Sequence, residues 1–145
     1  MFKTILVPTD GSSLSDKAIN AAIEFAQLVS GKLVALSVAE PYPFSPLHES
    51  ASAIEATNYD EQMRARAQQI VDKVALIAKE ANVPCETCVA LSFSPYEEII
   101  RTAKKYECDA VFMASHGRKG LNKLFLGSET QKVLAHSTIP VLVYR

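Results

Sequence analysis

The chain has 145 residues, 48% of them hydrophobic, and a net charge of −1 at pH 7. These values predict a single folded domain spanning residues 1–145, with a buried core that needs no disulfide or metal. No long basic run is present, so nucleic-acid binding is not expected. No apolar run approaches the roughly 20 residues of a membrane helix, and no signal peptide precedes the first strand, so we expect a cytoplasmic protein without membrane contact.

The first predicted elements are a strand, a turn and an amphipathic helix. A buried strand is predicted over Lys3 to Val7, followed by the turn Thr9 to Ser13. Ser13, with Asp16 three residues on, is the predicted helix N-cap, and Gly31 is the predicted stop. Apolar residues at steps of three and four then predict the buried stripe of this helix, which consists of Leu14, Ala18, Ala21, Phe25 and Leu28.

The second predicted strand, Lys32 to Val38, is followed by a long segment without a period. Three prolines fall within the next twenty or so residues, 39–58. A loop of that length is usually functional or mobile, so a lid or partner surface and a merely variable excursion both stay open. A helix from about Tyr59 to Ala81 comes next, and its predicted stripe consists of Met63, Ala67, Ile70, Val74, Ile77 and Ala81.

The third predicted strand, Cys85 to Leu91, carries a C-x-x-C motif. Residues three apart in a strand point to opposite faces, so Cys85 and Cys88 are predicted to be free thiols. A helix beginning at Pro95 with Ser94 as its cap follows. Its predicted buried side consists of Ile99, Ile100, Ala103 and Tyr106.

The last predicted elements are a fourth strand, Asp109 to Ala114, a helix, Ser128 to His136, and a final strand, Val141 to Tyr144. Val133 and Leu134 are predicted to face inward from the helix. Strands that alternate with helices predict an α/β fold with a doubly wound, mainly parallel five-stranded sheet and helices on both faces. In such sheets ligands bind beyond the carboxyl ends of the strands.

The connection from Ala114 to Ser128, which we call the glycine loop, carries the clearest functional signal. It contains three glycines, two cationic side chains and a hydroxyl just before a helix, which is typical of a loop whose backbone N–H groups face an anion. A long glycine-containing turn is the alternative, and the residues alone leave both open.

Three motifs give the chain a strong resemblance to the universal stress protein (UspA-like) family over its full length. They are I-L-V-P-T-D-G-S near the start, S-H-G-R-K-G in the glycine loop, and the closing run from G-S-E-T-Q to V-L-V-Y-R. Nucleotide-binding members of that family carry G-x2-G-x9-G-[S/T], which falls here on Ala114, Gly117, Gly127 and Ser128. The first glycine is replaced by Ala114, and Phe93 stands where many relatives have glycine. If the first position needs positive φ or the close approach of a phosphate, the methyl group of Ala114 would cost affinity, whereas alanine would serve if the position needs only a small residue. The ring of Phe93 would crowd the cleft or cover a base.

The resemblance implies a Rossmann-like fold of the adenine nucleotide alpha hydrolase type and a site for ATP or another adenine nucleotide, with or without Mg²⁺ or Mn²⁺. Asp10 would then bond the ribose or base, and the backbone at Val38 would contact adenine. The N–H groups of Gly117 and Gly127, with the Ser128 hydroxyl, would hold the phosphates, helped by Arg118. The implied nucleotide-binding residues are Pro8, Thr9, Asp10, Val38, Ala114, His116, Gly117, Arg118, Gly120, Gly127, Ser128 and Thr130. Asp10 as the shaper of an Asx turn, His116 as the shaper of its loop and Thr130 as an ordinary helix residue remain open alternatives.

Binding is favoured over catalysis. The chain has no G-x-x-x-x-G-K-[S/T] motif, no nucleophile beside a base, and no histidine spacing that suits a metal, so no catalytic or metal-ligating residue is predicted. Three hypotheses follow: a dimeric adenine-nucleotide-binding stress protein, a nucleotide-free dimeric interaction protein, and a slow ATP hydrolase. The predicted homodimer contact is the strand Val141 to Tyr144, which an edge position would leave with unpaired backbone groups.

Overall fold

The computed structural model describes residues 1–44, 53–117 and 125–145. These residues form five strands and four helices in strict alternation. In chain order the elements are β1 (Thr4–Pro8), α1 (Ser13–Val29), β2 (Lys32–Ala39), α2 (Ala53–Glu80), β3 (Cys85–Leu91), α3 (Pro95–Lys105), β4 (Ala110–Ala114), α4 (Ser128–His136) and β5 (Val141–Tyr144).

All strand pairs are parallel, and the strand order is β3-β2-β1-β4-β5. The predicted doubly wound α/β sheet is therefore confirmed. The strand order reverses at β1, which pairs with β2 on one side and with β4 on the other. A crevice at the carboxyl ends of β1 and β4 is thus the expected ligand position.

Two separate hydrophobic cores lie on the two faces of the sheet. Ile5 and Val7 of β1 pack with residues of α1 and α2, whereas Leu6 between them packs with residues of α3 and α4. This alternation is the period of two of a strand that is buried on both sides. The same alternation separates the two cysteines of the C-x-x-C motif, because Cys85 packs on the first core and Cys88 on the second. Both thiols are free.

The structure corrects the start of α1 and its buried stripe. Ser12, not Ser13, is the N-cap, and its hydroxyl accepts from the N–H of Ser15. Leu28, predicted to be buried, is 84% exposed. The buried residues lie mostly one position later than predicted and are Ser15, Ala18, Ile19, Ala22, Ile23 and Ala26.

Two further helix predictions are wrong in part. The helix α2 begins at Ala53 rather than near Tyr59, and its buried residues are Ala56, Ala67, Val71, Val74 and Ala78. On α4, Val133 is buried as predicted but Leu134 is 43% exposed. The first part of the predicted proline-rich loop, up to Phe44, is described, while residues 45–52 lie outside the described residues. Within the described ranges, no helix has both the length and the hydrophobicity of a bilayer span.

Candidate functional site

A cleft of about 530 Å³ opens at the carboxyl ends of β1, β2 and β4. Its size is within the usual range for small-molecule sites. Ten of the residues predicted from the sequence line this cleft, and they come from four separate stretches of the chain: Pro8, Thr9, Asp10, Val38, Ala114, His116, Gly117, Gly127, Ser128 and Thr130. Arg118 and Gly120 lie outside the described residues.

Asp10 shapes the turn after β1. Its Oδ1 accepts from the N–H of Ser12 at 2.9 Å and from the hydroxyl of Ser15 at 3.2 Å. Gly11 completes the turn with φ of 75°, an angle that favours glycine. The Asx-turn alternative for Asp10 is therefore correct for one of its two carboxylate oxygens.

The other oxygen of Asp10 lies against the glycine loop. A methyl group built on Gly117 would sit 2.7 Å from Asp10 Oδ2, closer than any side-chain carbon can come. Gly117 therefore allows the connection after β4 to approach the carboxylate from β1. The two predicted site residues meet at this point in the cleft.

The backbone at the start of α4 is arranged differently from the prediction. The N–H of Gly127 donates to the carbonyl of Ser115 at 2.7 Å, so it is committed within the protein and does not fit the predicted role of phosphate donor. The first helical bond of α4 runs from the N–H of Gln131 to the carbonyl of Gly127. The N–H groups of 128–130 precede that bond and lie outside the helical ladder, as at the start of any helix. They and the exposed Ser128 are the donors that the start of α4 presents.

Thr130 joins α4 to the end of β4. Its side chain is 3% exposed, and its hydroxyl donates to the carbonyls of Ala114 at 3.0 Å and Ser115 at 3.2 Å. Although Thr130 lines the cleft, its one donor is used within the protein. A structural role suits Thr130 better than the ligand contact that the resemblance implied.

Ala114 occupies an ordinary strand position. It is the last residue of β4, is 8% exposed, and stands in register with Tyr144 of β5. Among the described residues positive φ occurs at Gly11 and at four non-glycine positions, and Ala114 is not one of them. The possibility that this position needs positive φ is therefore excluded. Phe93 is 62% exposed at the edge of the cleft, so its ring leaves the interior open.

His116 has one satisfied and one unsatisfied ring nitrogen. Nδ1 lies 2.8 Å from the hydroxyl of the buried Ser115, which agrees with a loop-shaping role. Nε2 is buried and has no hydrogen-bond partner among the residues that the structure describes. A buried polar atom without a partner costs about 1–3 kcal/mol. His116 therefore combines a structural contact with an unmet hydrogen bond at the wall of the cleft.

Glu129 is a cleft residue that the sequence did not reveal. Its Oε2 accepts from the N–H of Tyr96 in the first turn of α3 at 2.9 Å, and its Oε1 pairs with Lys132 Nζ at 3.1 Å. A carboxylate at a helix N-terminus is favourable because it faces the positive end of the helix dipole. No signal in the sequence indicates this contact, because it depends on the side-by-side packing of α3 and α4.

The charged groups among the described lining residues are the carboxylates of Asp10, Glu40 and Glu129. The same part of the chain contains no group of three His, Cys, Asp or Glu residues able to hold a metal ion. The cations predicted to face an anion, Arg118 and Lys119, lie outside the described residues.

Comparison with known proteins gives consistent matches. The family model described as "Universal stress protein family" matches residues 1–145. A universal stress protein of Methanocaldococcus jannaschii is 31% identical over 145 residues, which are 100% of this chain and 83% of that protein. One from Thermus aquaticus is 30% identical, with complete coverage of both chains.

Solved structures share the fold. Universal stress protein UspA from Lactobacillus plantarum superimposes with a TM-score of 0.84 at 22% identity, covering 99% of this chain and 98% of its own. A universal stress protein in complex with cAMP has a TM-score of 0.71 at 22% identity, with coverage of 99% and 97%. The one from Archaeoglobus fulgidus in complex with dAMP has a TM-score of 0.69 at 15% identity, with complete coverage of both. By the family model and the sequence identity to these relatives, the chain belongs to the universal stress protein family.

Proposed function

We propose that the cleft binds an adenine nucleotide, ATP, ADP or AMP, and that the protein acts in a stress response as a dimeric binding or regulatory module of the cytoplasm. The observation that carries this proposal is the convergence of ten predicted residues from four stretches of chain on one cleft of suitable size. That cleft also lies where the strand order reverses, the usual ligand position in this type of sheet.

The cleft has a different chemistry at each end. Ser128 and the start of α4 offer a hydroxyl and helix N–H groups, which suit a phosphate. Near the middle, the Asp10 carboxylate suits ribose hydroxyls. Leu36 and Val38 of β2 supply an apolar wall for the base. A nucleotide placed with its phosphate at α4 and its base at β2 matches each group with a suitable partner.

Two proteins with the same fold have been solved as complexes with cAMP and dAMP. Because their identity to this chain is low, they support the proposal through the fold only. The argument for this chain depends on its own residues. The unsatisfied Nε2 of His116 adds to it, since a bound ligand would give that nitrogen a partner.

A triphosphate would need additional positive charge in this cleft. The described lining residues contribute carboxylates, and no described group of residues has the ligands for a metal of its own. Mg²⁺ or Mn²⁺ would therefore be held mainly through the phosphates, with at most one protein carboxylate and water completing its shell. Such an ion would supply the counter-charge that lets phosphates approach Asp10 and Glu129.

The structure weakens the alternative of a nucleotide-free interaction protein. That alternative depends on obstruction by Ala114 and Phe93. Ala114 ends a regular strand without positive φ, and the Phe93 ring lies largely in solvent. Neither side chain closes the cleft, so nucleotide binding is the better supported function.

The proposed dimer contact is β5. It lies at one edge of the sheet, and its Leu142 side chain is 42% exposed. An edge strand presents unpaired N–H and C=O groups that a second copy can bond. Pairing through Val141–Tyr144 would continue the sheet across the dimer.

The direct test is calorimetry of the purified protein with ATP, ADP and AMP, with and without Mg²⁺. One aliquot of the protein is first denatured, and the supernatant is examined for released nucleotide by absorbance and mass spectrometry. A site that was filled during purification is then not mistaken for one that cannot bind. We expect binding of at least one nucleotide below millimolar concentration. An empty protein that binds none at millimolar nucleotide with Mg²⁺ refutes the proposal. Turnover abolished by Asp10→Asn or Ser128→Ala would instead identify a hydrolase.

A further inference from the structure

Phe93 is an unusual side chain for the edge of a cleft. The other apolar residues that line the cleft from the strands and α3 are buried, as in Leu36 at 0% and Ile99 at 4% exposure, or half-buried, as in Val38, whereas Phe93 is 62% exposed. A large exposed aromatic side chain at the edge of a binding cleft is free to contact a ligand without first leaving a packed core.

The backbone around Phe93 is anchored on both sides. The N–H of Ser92 donates to the carbonyl of Ala39 at 2.9 Å, and the N–H of Ser94 donates to the hydroxyl of Ser92 at 3.0 Å. Pro95 then begins α3 with a fixed φ. The ring is therefore exposed, but the chain that carries it is held at the end of β3.

The position of Phe93 is opposite the phosphate end of the cleft. The sheet order places β3 at one edge and β4 three positions away, with β2 and β1 between them. Three strand spacings separate them by roughly 14 Å, which is of the order of the length of a nucleoside phosphate. A nucleotide with its phosphate at the start of α4 would bring its base toward Val38 and Phe93.

We propose that the Phe93 ring stacks on the base of the bound nucleotide and determines the preference of this chain for a purine base over a base-free sugar phosphate. It presupposes the nucleotide-binding function proposed above. Phe93 and Val38 would enclose the base from two sides, while Asp10 and Ser128 would hold the sugar and phosphate. Phe93 would thus set specificity without contacting the phosphates.

The experiment compares two ligands and four proteins by calorimetry. The ligands are AMP and ribose 5-phosphate, which has the same sugar and phosphate but no base. The proteins are the unaltered chain, Phe93→Ala, Phe93→Tyr, and Leu76→Ala as a control that removes a similarly exposed apolar side chain, 60% exposed, from α2 on the other face of the sheet. Base–aromatic stacking predicts that Phe93→Ala weakens AMP binding about 5- to 100-fold. Phe93→Tyr and Leu76→Ala are expected to stay within about twofold.

A second measurement does not depend on detecting ribose 5-phosphate by heat. The chain contains no tryptophan, so Phe93→Trp introduces one fluorophore at this position. We expect AMP to quench its emission through stacking and ribose 5-phosphate at the same concentration to leave it unchanged.

The outcomes separate this proposal from the more general one. An unaltered chain that binds no nucleotide refutes the function itself. Binding of AMP that is equal or tighter in Phe93→Ala, or an equal loss for both ligands, refutes only the stacking contact. An unquenched tryptophan in a variant that binds AMP refutes it as well.

Discussion

Position 117 requires glycine because the Asp10 carboxylate lies close to it, and not because of an unusual backbone angle. In Gly117→Ala the new methyl group would lie 2.7 Å from Asp10 Oδ2, so the Asp10 side chain must move. A hydrogen bond to a charged group is worth about 1.5–3 kcal/mol. Moving the Asp10 carboxylate away from the ribose hydroxyls is therefore expected to weaken nucleotide binding about tenfold or more. Calorimetry with AMP measures the change, and affinity equal to that of the unaltered chain would contradict the role of Asp10.

Ala114→Gly is the matched change at the other small residue of the motif. Because Ala114 ends a regular strand and does not have positive φ, glycine offers no conformational advantage there. We expect nucleotide affinity to stay within about twofold and stability to fall by about 0.5–1 kcal/mol, the usual cost of glycine in regular structure. Affinity and urea unfolding measure the two effects. A large gain in affinity would show that the alanine methyl group blocks the phosphates.

Asp109 makes stability depend on pH at the other end of the sheet. Its Oδ2 accepts from the N–H groups of Thr4 at 2.9 Å and Lys3 at 2.6 Å, and these bonds lower the pKa of the carboxyl group below its ordinary value. A carboxyl group with a lowered folded pKa stabilises the fold above its unfolded pKa, near 4, and this contribution disappears as pH falls through the folded pKa. Urea unfolding should therefore show less loss of stability below about pH 4 in Asp109→Asn than in the unaltered chain. Parallel pH profiles would contradict this contribution.

At the level of the elements, the hydroxyl of Thr130 joins α4 to the end of β4 by hydrogen bonds. Thr130→Val keeps the shape of the side chain but removes the hydroxyl that donates to the carbonyls of Ala114 and Ser115. The Ser115 carbonyl keeps the N–H of Gly127 as a donor, so the loss falls mainly on the carbonyl of Ala114. Buried groups that lose a partner cost about 1–3 kcal/mol, and we expect this loss of unfolding free energy in urea. Thr130→Ser keeps the hydroxyl and is expected to retain most of the stability. An equal loss in both variants would indicate that the methyl group matters and the hydroxyl does not.

The bounds of the later elements followed from the sequence, whereas the buried sides of α1 and α2 did not. Turn residues and prolines mark β3, α4 and β5, and their predicted bounds match the structure. On α1, however, both the stripe with Leu28 and the stripe with Ile19 are apolar. The choice between them depends on how closely the helix approaches the sheet, which Ala18, Ala22 and Ala26 permit on the Ile19 side. The distance between the helix and the sheet is a property of the tertiary structure, and the spacing of apolar residues along the sequence does not contain it.

The position of the cleft was predictable for a topological reason. Carboxyl ends of parallel strands meet at one edge of the sheet, so Asp10 and the glycine loop were expected to share one cleft. The use of individual hydrogen-bonding groups was not predictable. The Gly127 N–H bonds Ser115, and Glu129 bonds the start of α3, because separate elements pack at particular distances.

At the level of the whole molecule, the dimer depends on which backbone groups of β5 face outward. The carbonyls of Pro140 and Tyr144 accept from β4, so strand alternation turns the N–H of Val143 away from it. Val143→Pro removes that outward donor and is expected to spare the pairing with β4, since proline is tolerated on edge strands. We expect sedimentation to show a dimer for the unaltered chain and a monomer for Val143→Pro.

Val143→Ala is the control for the dimer, because it shortens the side chain and keeps the N–H. It is expected to remain dimeric. Urea unfolding of both variants establishes that β5 is still in place. A dimer of unchanged strength in a folded Val143→Pro protein would locate the contact elsewhere, and a monomeric unaltered chain would contradict the dimer altogether.

The bond from the Tyr96 N–H to Glu129 joins two helices that the chain itself separates by more than twenty residues. Ser128, the neighbour of Glu129, lines the cleft. A ligand that steadies the first turn of α4 would also steady the acceptor of the Tyr96 amide, so hydrogen–deuterium exchange at that amide should slow when nucleotide is added. By thermodynamic reciprocity, a partner protein that pulls the start of α3 away from Glu129 would lower nucleotide affinity by the same factor.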